Sequence, residues 1–121
     1  MRDMSKVLEG WAEWARAEND SISYSSIAAG FKGLIPQNYH IKVPCTDEDG
    51  LIIDSCLAKL KNKCPDEYEL LVLHYFFRVS KRKLAKNFKR DEKLIRVKVQ
   101  IAEGFVNGCL CMINARLSMD Y

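Results

Sequence analysis

The side chains most able to bind a ligand are basic and lie in one stretch of the chain. Between Arg78 and Lys98, which we call the basic segment, ten of 21 residues are lysine or arginine and two are acidic, a net charge of +8. The other 100 residues carry nine basic and fourteen acidic side chains, a net charge of −5. Such a polarised chain directs one surface toward a polyanion. The basic segment therefore indicates nucleic-acid binding, with a solvated pair of lysine-rich helices as the alternative.

Side chains for metal binding or catalysis are present, but their spacing favours neither role. The five cysteines include no C-x-x-C pair, and Cys109 and Cys111 would point to different sides of a helix. The carboxylates at 47–49 with Asp54 could form a metal-dependent nuclease site, although helix capping explains the first three more simply. His74 lies in an apolar stretch that is typical of a hydrogen-bonded core histidine. We therefore expect no enzyme activity, no metal ion and no other cofactor.

Length and composition predict one compact domain in the cytoplasm. The chain has 121 residues, of which 48% are hydrophobic and 29% charged, and a chain of this size buries about two-thirds of its extended surface. An odd number of cysteines suits a reducing compartment better than a disulfide framework. No apolar stretch approaches the roughly 18 residues of a membrane span, and acidic residues interrupt the N-terminal region where a signal sequence would be apolar.

Helical spacing of apolar residues predicts an all-α fold. Trp11 and Trp14 fall on the apolar side of the first helix, where we expect them to anchor the core. Thr46 is the predicted N-cap of the next long helix, and Pro65 suits the first turn of the central, most apolar one. The elements predicted before the basic segment are a helix over 3–18, a loop with short helices over 19–45, and helices over 46–63 and 65–78.

The basic segment has the spacing of a helix-turn-helix, which we expect over about 79–100. Ser80 is the predicted N-cap of a short helix, and Asp91 is that of a second. The small side chain at Ala85 allows a steep crossing, and we expect Leu94 and Ile95 to pack back on the first helix.

Two lysines depart from the usual pattern of this motif. Lys89 stands in the turn, where glycine is common, and would adopt the turn conformation at some cost. Lys98 stands where an inward apolar residue is common, so we expect Val99 to take that place. The apolar side continues beyond the motif, which predicts a long C-terminal helix to about residue 118, bent or closely packed at Gly104 and Gly108.

A helix-turn-helix assigns different roles to these basic residues. The second helix enters the major groove, while the first crosses the phosphate backbone. Lys93 and Arg96 are the predicted base readers, because lysine and arginine donate to guanine O6 and N7. The residues predicted to bind phosphates are Lys81, Arg82, Lys89 and Arg90. For each of the six, a solvated surface charge is the alternative.

Several blocks outside the basic segment are distinctive. They comprise Met1-Arg-Asp with Trp11 and Trp14, the twelve residues Ser25-Ser-Ile-Ala-Ala-Gly-Phe-Lys-Gly-Leu-Ile-Pro36, the Leu84-Ala85 pair, Ala102-Glu-Gly104, and Ala115-Arg-Leu-Ser-Met-Asp120. Together they resemble the short type of phage late-gene antitermination protein Q. The resemblance spans essentially the whole chain, and the block at 25–36 is its most specific part.

The resemblance implies a single antiterminator domain over 1–121 with a sigma-like helix-turn-helix. Proteins of this family bind a double-stranded DNA element at the late promoter, join a paused RNA polymerase that still holds sigma factor, and suppress pausing and termination. By that analogy Lys93 and Arg96 read DNA. The candidates for contact with polymerase, or with nascent RNA at its exit, lie in one segment. They are Ile27, Gly30, Phe31, Lys32, Gly33 and Leu34. Packing of this segment on the protein body is the alternative.

The mechanism that follows is steric, and two other functions compete with it. A protein held at the exit channel would exclude the RNA hairpin of a terminator without covalent chemistry. A conventional helix-turn-helix regulator, acting only at its DNA site, shares the basic segment but leaves the block at 25–36 unexplained. A small phage nuclease is the third candidate.

Overall fold

The computed structural model describes residues 3–19, 30, 45–113 and 115–117, and most of these residues are helical. No strand occurs in the described ranges, which confirms the all-α prediction. The helices are α1 (Met4–Asn19), α2 (Asp47–Lys63), α3 (Pro65–Leu71, continued by a π-helical turn at Val72–Phe76), α4 (Lys81–Phe88) and α5 (Glu92–Met112).

One hydrophobic core joins these elements. α3 packs against both α2 and α5, and its π-helical continuation packs against α1. Leu71, Val72 and Leu73 are fully buried, which confirms the prediction of a central third helix. The side of α5 that faces the core carries Ile95, Val99, Ala102, Val106 and Leu110. This core holds α4 and the first turns of α5 in place.

The two tryptophans of α1 attach it to α2. Trp11 is fully buried, and its Nε1 donates a hydrogen bond to Asp54 at 2.7 Å. Trp14 is half-buried and donates to Asp47 at 2.8 Å. The ring of Trp14 lies directly on Gly50, where an added Cβ would overlap the indole. Burial raises the pKa of Asp54, while the bond from Trp11 opposes that shift. Asp47 and Asp54, two of the carboxylates considered above for a nuclease site, thus accept hydrogen bonds from the tryptophans of α1.

Arg16 of α1 caps the C-terminal end of the π-helical turn. Its Nη1 donates to the backbone carbonyls of Tyr75 at 3.2 Å and Phe76 at 2.7 Å, and its Nη2 pairs with Glu13 at 2.9 Å. Carbonyls at a helix end have no partner within the helix, and a cation there also opposes the negative end of the helix dipole. Arg16 therefore supplies from α1 the hydrogen bonds that this helix end lacks.

Three predicted features of the fold differ from the structure. The third helix was expected to run to 78, but its α-helical part ends at Leu71, where the chain widens into the π-helical turn. α5 ends at Met112 instead of near 118. A longer helix would carry Leu117 about 10 Å beyond Leu110, whereas the chain turns back, with a bond from Ala115 N–H to Leu110 O at 3.0 Å, and buries Leu117 in the core.

The third correction concerns the glycines of α5. The helix passes through both positions without interruption, and a Cβ added at Gly104 or Gly108 would meet nothing within 4 Å. Close packing at these glycines was therefore the wrong expectation for the part of the chain that the structure describes. They instead border an open apolar groove of about 540 Å³ between α2 and the C-terminal half of α5.

Candidate nucleic-acid interface

Side-chain caps fix the start of both helices in the basic segment. The Ser80 hydroxyl accepts a hydrogen bond from Lys83 N–H at 3.2 Å and begins α4. The Asp91 carboxylate accepts one from Lys93 N–H at 3.2 Å and begins α5. Both predicted caps are confirmed, and each satisfies a backbone donor that a helix start leaves without a partner.

The turn between the two helices has the geometry of a glycine turn although it contains Lys89. This residue has φ 55° and ψ 46°, the left-handed conformation. Its N–H donates to Lys86 O at 3.3 Å, and the N–H of Arg90 donates to Ala85 O at 2.9 Å. These two bonds form a Schellman motif, which ends α4 sharply. The lysine thus preserves the turn at a conformational cost of about 1–2 kcal/mol.

Apolar side chains close the joint between α4 and α5. Leu84, Ala85 and Ile95 are buried there, which confirms the predicted places of Ala85 and Ile95 in the joint. Val99 is also fully buried, which confirms that it takes the inward position next to Lys98. Leu94 was wrongly expected to face inward, because it is 40% exposed. One step along a helix turns a side chain by about 100°, so only one of two adjacent positions faces α4.

Lys98 connects the motif to the body of the protein. Its ammonium group lies 3.3 Å from the Glu67 carboxylate on α3, and both side chains are partly buried. Lys98 therefore contributes to packing rather than to the exposed charge of the basic segment.

All six predicted DNA-contact residues lie on α4, the turn or the first two turns of α5. Five of them are exposed, and Lys81 is partly buried. Lys83 and Lys86 are exposed on α4 as well, so they add to the same positive surface. We call the exposed basic side chains the cationic face; they are Arg82, Lys83, Lys86, Lys89, Arg90, Lys93 and Arg96.

An acidic residue for which the sequence predicted no role lies within this face. Glu92 accepts two hydrogen bonds from the guanidinium of Arg96, at 3.0 and 2.6 Å, and lies 3.9 Å from Nε of Arg82. The i, i+4 spacing of Glu92 and Arg96 is the sequence signal for such a pair. Exposed ion pairs contribute about 1 kcal/mol or less, so a phosphate or base can replace Glu92 as the partner of Arg96.

Lys93 differs from Arg96 in its surroundings. It is exposed at the start of α5, and within the described ranges its ammonium group makes no hydrogen bond or ion pair that would have to break on binding. Of the two predicted base readers, Lys93 is therefore the one already available to a ligand.

The predicted polymerase-contact segment lies almost wholly outside the described residues. Ile27, Phe31, Lys32, Gly33 and Leu34 belong to the part of the chain about which the structure gives no description. Gly30 is described; it is helical, and a Cβ added to it would have no neighbour within 4 Å. These residues remain predictions from the resemblance.

Burial shifts the pKa of several titratable groups outside the interface. His74 Nδ1 lies 2.9 Å from Val79 O, and burial lowers the pKa of this histidine. Tyr75 donates to Glu103 at 2.5 Å, and burial raises the pKa of its hydroxyl. Burial, with nearby carboxylates, raises the pKa of the Cys45 thiol to about 11. Across the described ranges no three His, Cys, Asp or Glu side chains are grouped as a metal site would need, and no helix has the length and apolarity to cross a membrane.

Comparison with known proteins identifies the family of this chain. The family model for phage antitermination protein Q matches residues 1–118. The chain is 48% identical over 120 residues to "Probable antitermination protein Q" of Acyrthosiphon pisum secondary endosymbiont phage 1, covering 98% of this chain and 81% of that protein. It is 39% identical to "Prophage antitermination protein Q homolog QuuD" of Escherichia coli (strain K12), covering 99% of this chain and 94% of the homolog.

A third relative is the "Antitermination protein Q" of Escherichia phage 933W, which is 38% identical over 99% of this chain and 83% of its own length. No solved structure matches the chain. These similarities extend over nearly every residue and confirm the resemblance found in the sequence. The chain therefore belongs to the phage antitermination protein Q family, a family of transcription regulators and not of enzymes.

Proposed function

We propose that this antitermination factor binds double-stranded DNA through α4, the turn and the start of α5. The observation that carries the proposal is the cationic face, seven exposed basic side chains on two capped helices and the turn between them, in a protein whose remaining residues are net acidic. The capped helices and the Schellman turn define the backbone that carries these charges. In this docking α5 enters the major groove, and α4 lies over the phosphate backbone.

The six predicted contacts divide into two roles. Lys81, Arg82, Lys89 and Arg90 neutralise phosphates, which contributes affinity and salt dependence but little choice of sequence. Lys93 donates to a base edge directly. Arg96 also donates to a base edge, once its hydrogen bonds to Glu92 have broken. Its planar guanidinium suits guanine O6 and N7.

The promoter-bound protein then joins a paused bacterial RNA polymerase that contains sigma factor, in the cytoplasm of the host. Residues Ile27 to Leu34 supply the contact with polymerase or with nascent RNA at its exit. Held there, the single domain narrows the exit channel, so that the hairpin of a terminator cannot form. This mechanism needs no bond-making step in the protein, which agrees with a family of regulators.

A titration of labelled duplex DNA at several salt concentrations tests the DNA-binding step. Removing one phosphate contact, as in Arg90→Gln, should lower the slope of log K against log salt by about 0.9. Lys63→Gln removes an exposed lysine outside the basic segment and should leave the slope unchanged. Equal slopes for both variants would contradict the assignment of the cationic face to DNA.

A paired substitution tests the polymerase-contact step. Phe31→Ser with Leu34→Ser should abolish read-through of a terminator and leave DNA affinity intact. Loss of both activities together, with loss of the helical circular-dichroism signal, would show misfolding and remove the support for a separate contact segment. A regulator that acts only at its DNA site would show altered initiation without read-through in the unmodified protein.

A further inference from the structure

α5 carries a second row of apolar side chains on the side that faces solvent. Leu94, Val97 and Ile101 are 40%, 44% and 50% exposed. Their i, i+3, i+7 spacing places them along one line of the helix. Val97 lies about 200° around the helix from the buried Ile95, so the row is directed away from the core.

The surroundings of this row indicate the kind of partner that covers it. Exposed polar side chains border it, with Lys93 before Leu94, Arg96 before Val97 and Gln100 before Ile101. The other members of the cationic face stand on α4 and at the turn, next to the beginning of the row. The partner must therefore be strongly anionic at its edges and present small apolar groups at its centre. The major groove of DNA has both properties, since phosphates line it and thymine C5-methyl groups project into it.

We propose that Leu94 and Val97 pack against thymine methyl groups and make this protein selective for thymine next to the bases that Lys93 and Arg96 contact. The inference rests on the proposed DNA-binding function and names part of its specificity. Residues 94 and 97 are about 4.5 Å apart along the helix axis, close to the 3.4 Å step between bases in one strand. Leu94 and Val97 can therefore each contact the methyl group of one of two neighbouring thymines. Ile101, one helical turn further, shields the edge of this contact from water.

The test removes the methyl group from the DNA and the side chain from the protein. The probe is a duplex selected by the unmodified protein from a randomised pool, prepared with each thymine replaced in turn by deoxyuracil. This replacement deletes one methyl and preserves base pairing and phosphate charge. We expect about a fourfold loss of affinity at one or two positions, the effect of one buried methyl group.

The Val97→Ala variant completes a double-mutant cycle. It should bind the thymine duplex several-fold more weakly, and the loss should disappear on the duplex that lacks the critical methyl. Leu51→Ala is the matched control, because Leu51 is equally an exposed aliphatic residue, 60% accessible, on α2. It should bind both duplexes as the unmodified protein does.

Two other results would overturn the inference in different ways. Salt-dependent binding that is indifferent to every methyl group would refute thymine selectivity while leaving the DNA-binding function in place. If Val97→Ala then lost read-through at unchanged DNA affinity, the row would be a contact for polymerase instead. Failure of the unmodified protein to select any duplex would refute the proposed DNA binding itself.

Discussion

Replacing Lys89 by glycine should raise the stability of the protein and weaken its binding to DNA at the same time. Lys89 has φ 55°, a conformation that costs an L-residue about 1–2 kcal/mol and glycine nothing. Glycine also loses more conformational entropy on folding, by about 0.5–1 kcal/mol. The net gain is roughly 0.5–1 kcal/mol, because the two bonds of the Schellman turn are made by backbone groups and remain.

Thermal unfolding measures this gain, and a rise in Tm of about 2–5 °C is expected for a domain of this size. Lys86→Gly is the matched control. It removes the same side chain three residues earlier, inside α4, where glycine is unfavourable by up to about 1 kcal/mol, so Tm should fall. A lower Tm for Lys89→Gly would refute our account of the turn.

The same variant tests whether Lys89 binds a phosphate. Affinity for duplex DNA at low salt should fall, and the slope of log K against log salt should lose about 0.9. Lys89→Ala should show the same loss of slope without the gain in Tm, because alanine keeps the strained conformation. Unchanged DNA binding in both variants would show that Lys89 does not contact DNA.

Three further predictions concern the body of the fold. Gly50→Ala should destabilise the protein by about 1–3 kcal/mol in urea unfolding, since its Cβ displaces the Trp14 ring; an unchanged midpoint would contradict the close contact. Arg16→Met should cost about 2 kcal/mol, because two carbonyls at the end of the π-helical turn lose a charged donor, and the control Arg116→Met, at an exposed site, should cost little. The lowered pKa of His74 means that the unfolded chain binds more protons than the folded one just below pH 6.5, so stability should fall as pH decreases through that range. The free energy of unfolding of His74→Gln should fall less between pH 7 and 5 than that of the unmodified protein. An equal fall would show that other groups cause the pH dependence.

The sequence predicted the helices and their starts well because local chemistry determines both. Apolar spacing identified α1, α2 and α5, and Thr46, Ser80 and Asp91 cap their helices with side chains whose type alone indicates that role. The turn at Lys89 was also located correctly, since it separates two capped helices.

Features that depend on distant parts of the chain were missed. The bonds of Arg16 join residues 59 and 60 positions apart, and no local pattern reports them. The end of α5 depends on the place that the core offers to Leu117. Leu94 was misplaced because adjacent apolar residues, Leu94 and Ile95, are indistinguishable until the orientation of α4 is known.

Single-round transcription by bacterial RNA polymerase with sigma factor, from the cognate late promoter through a terminator, tests the proposal most directly. We predict that the protein increases read-through, that the increase survives competitor duplex DNA added after polymerase leaves the promoter, and that Lys93→Gln lowers it when the variant is present from the start. Changed initiation with unaltered read-through would contradict the account and show a regulator that acts only at its DNA site.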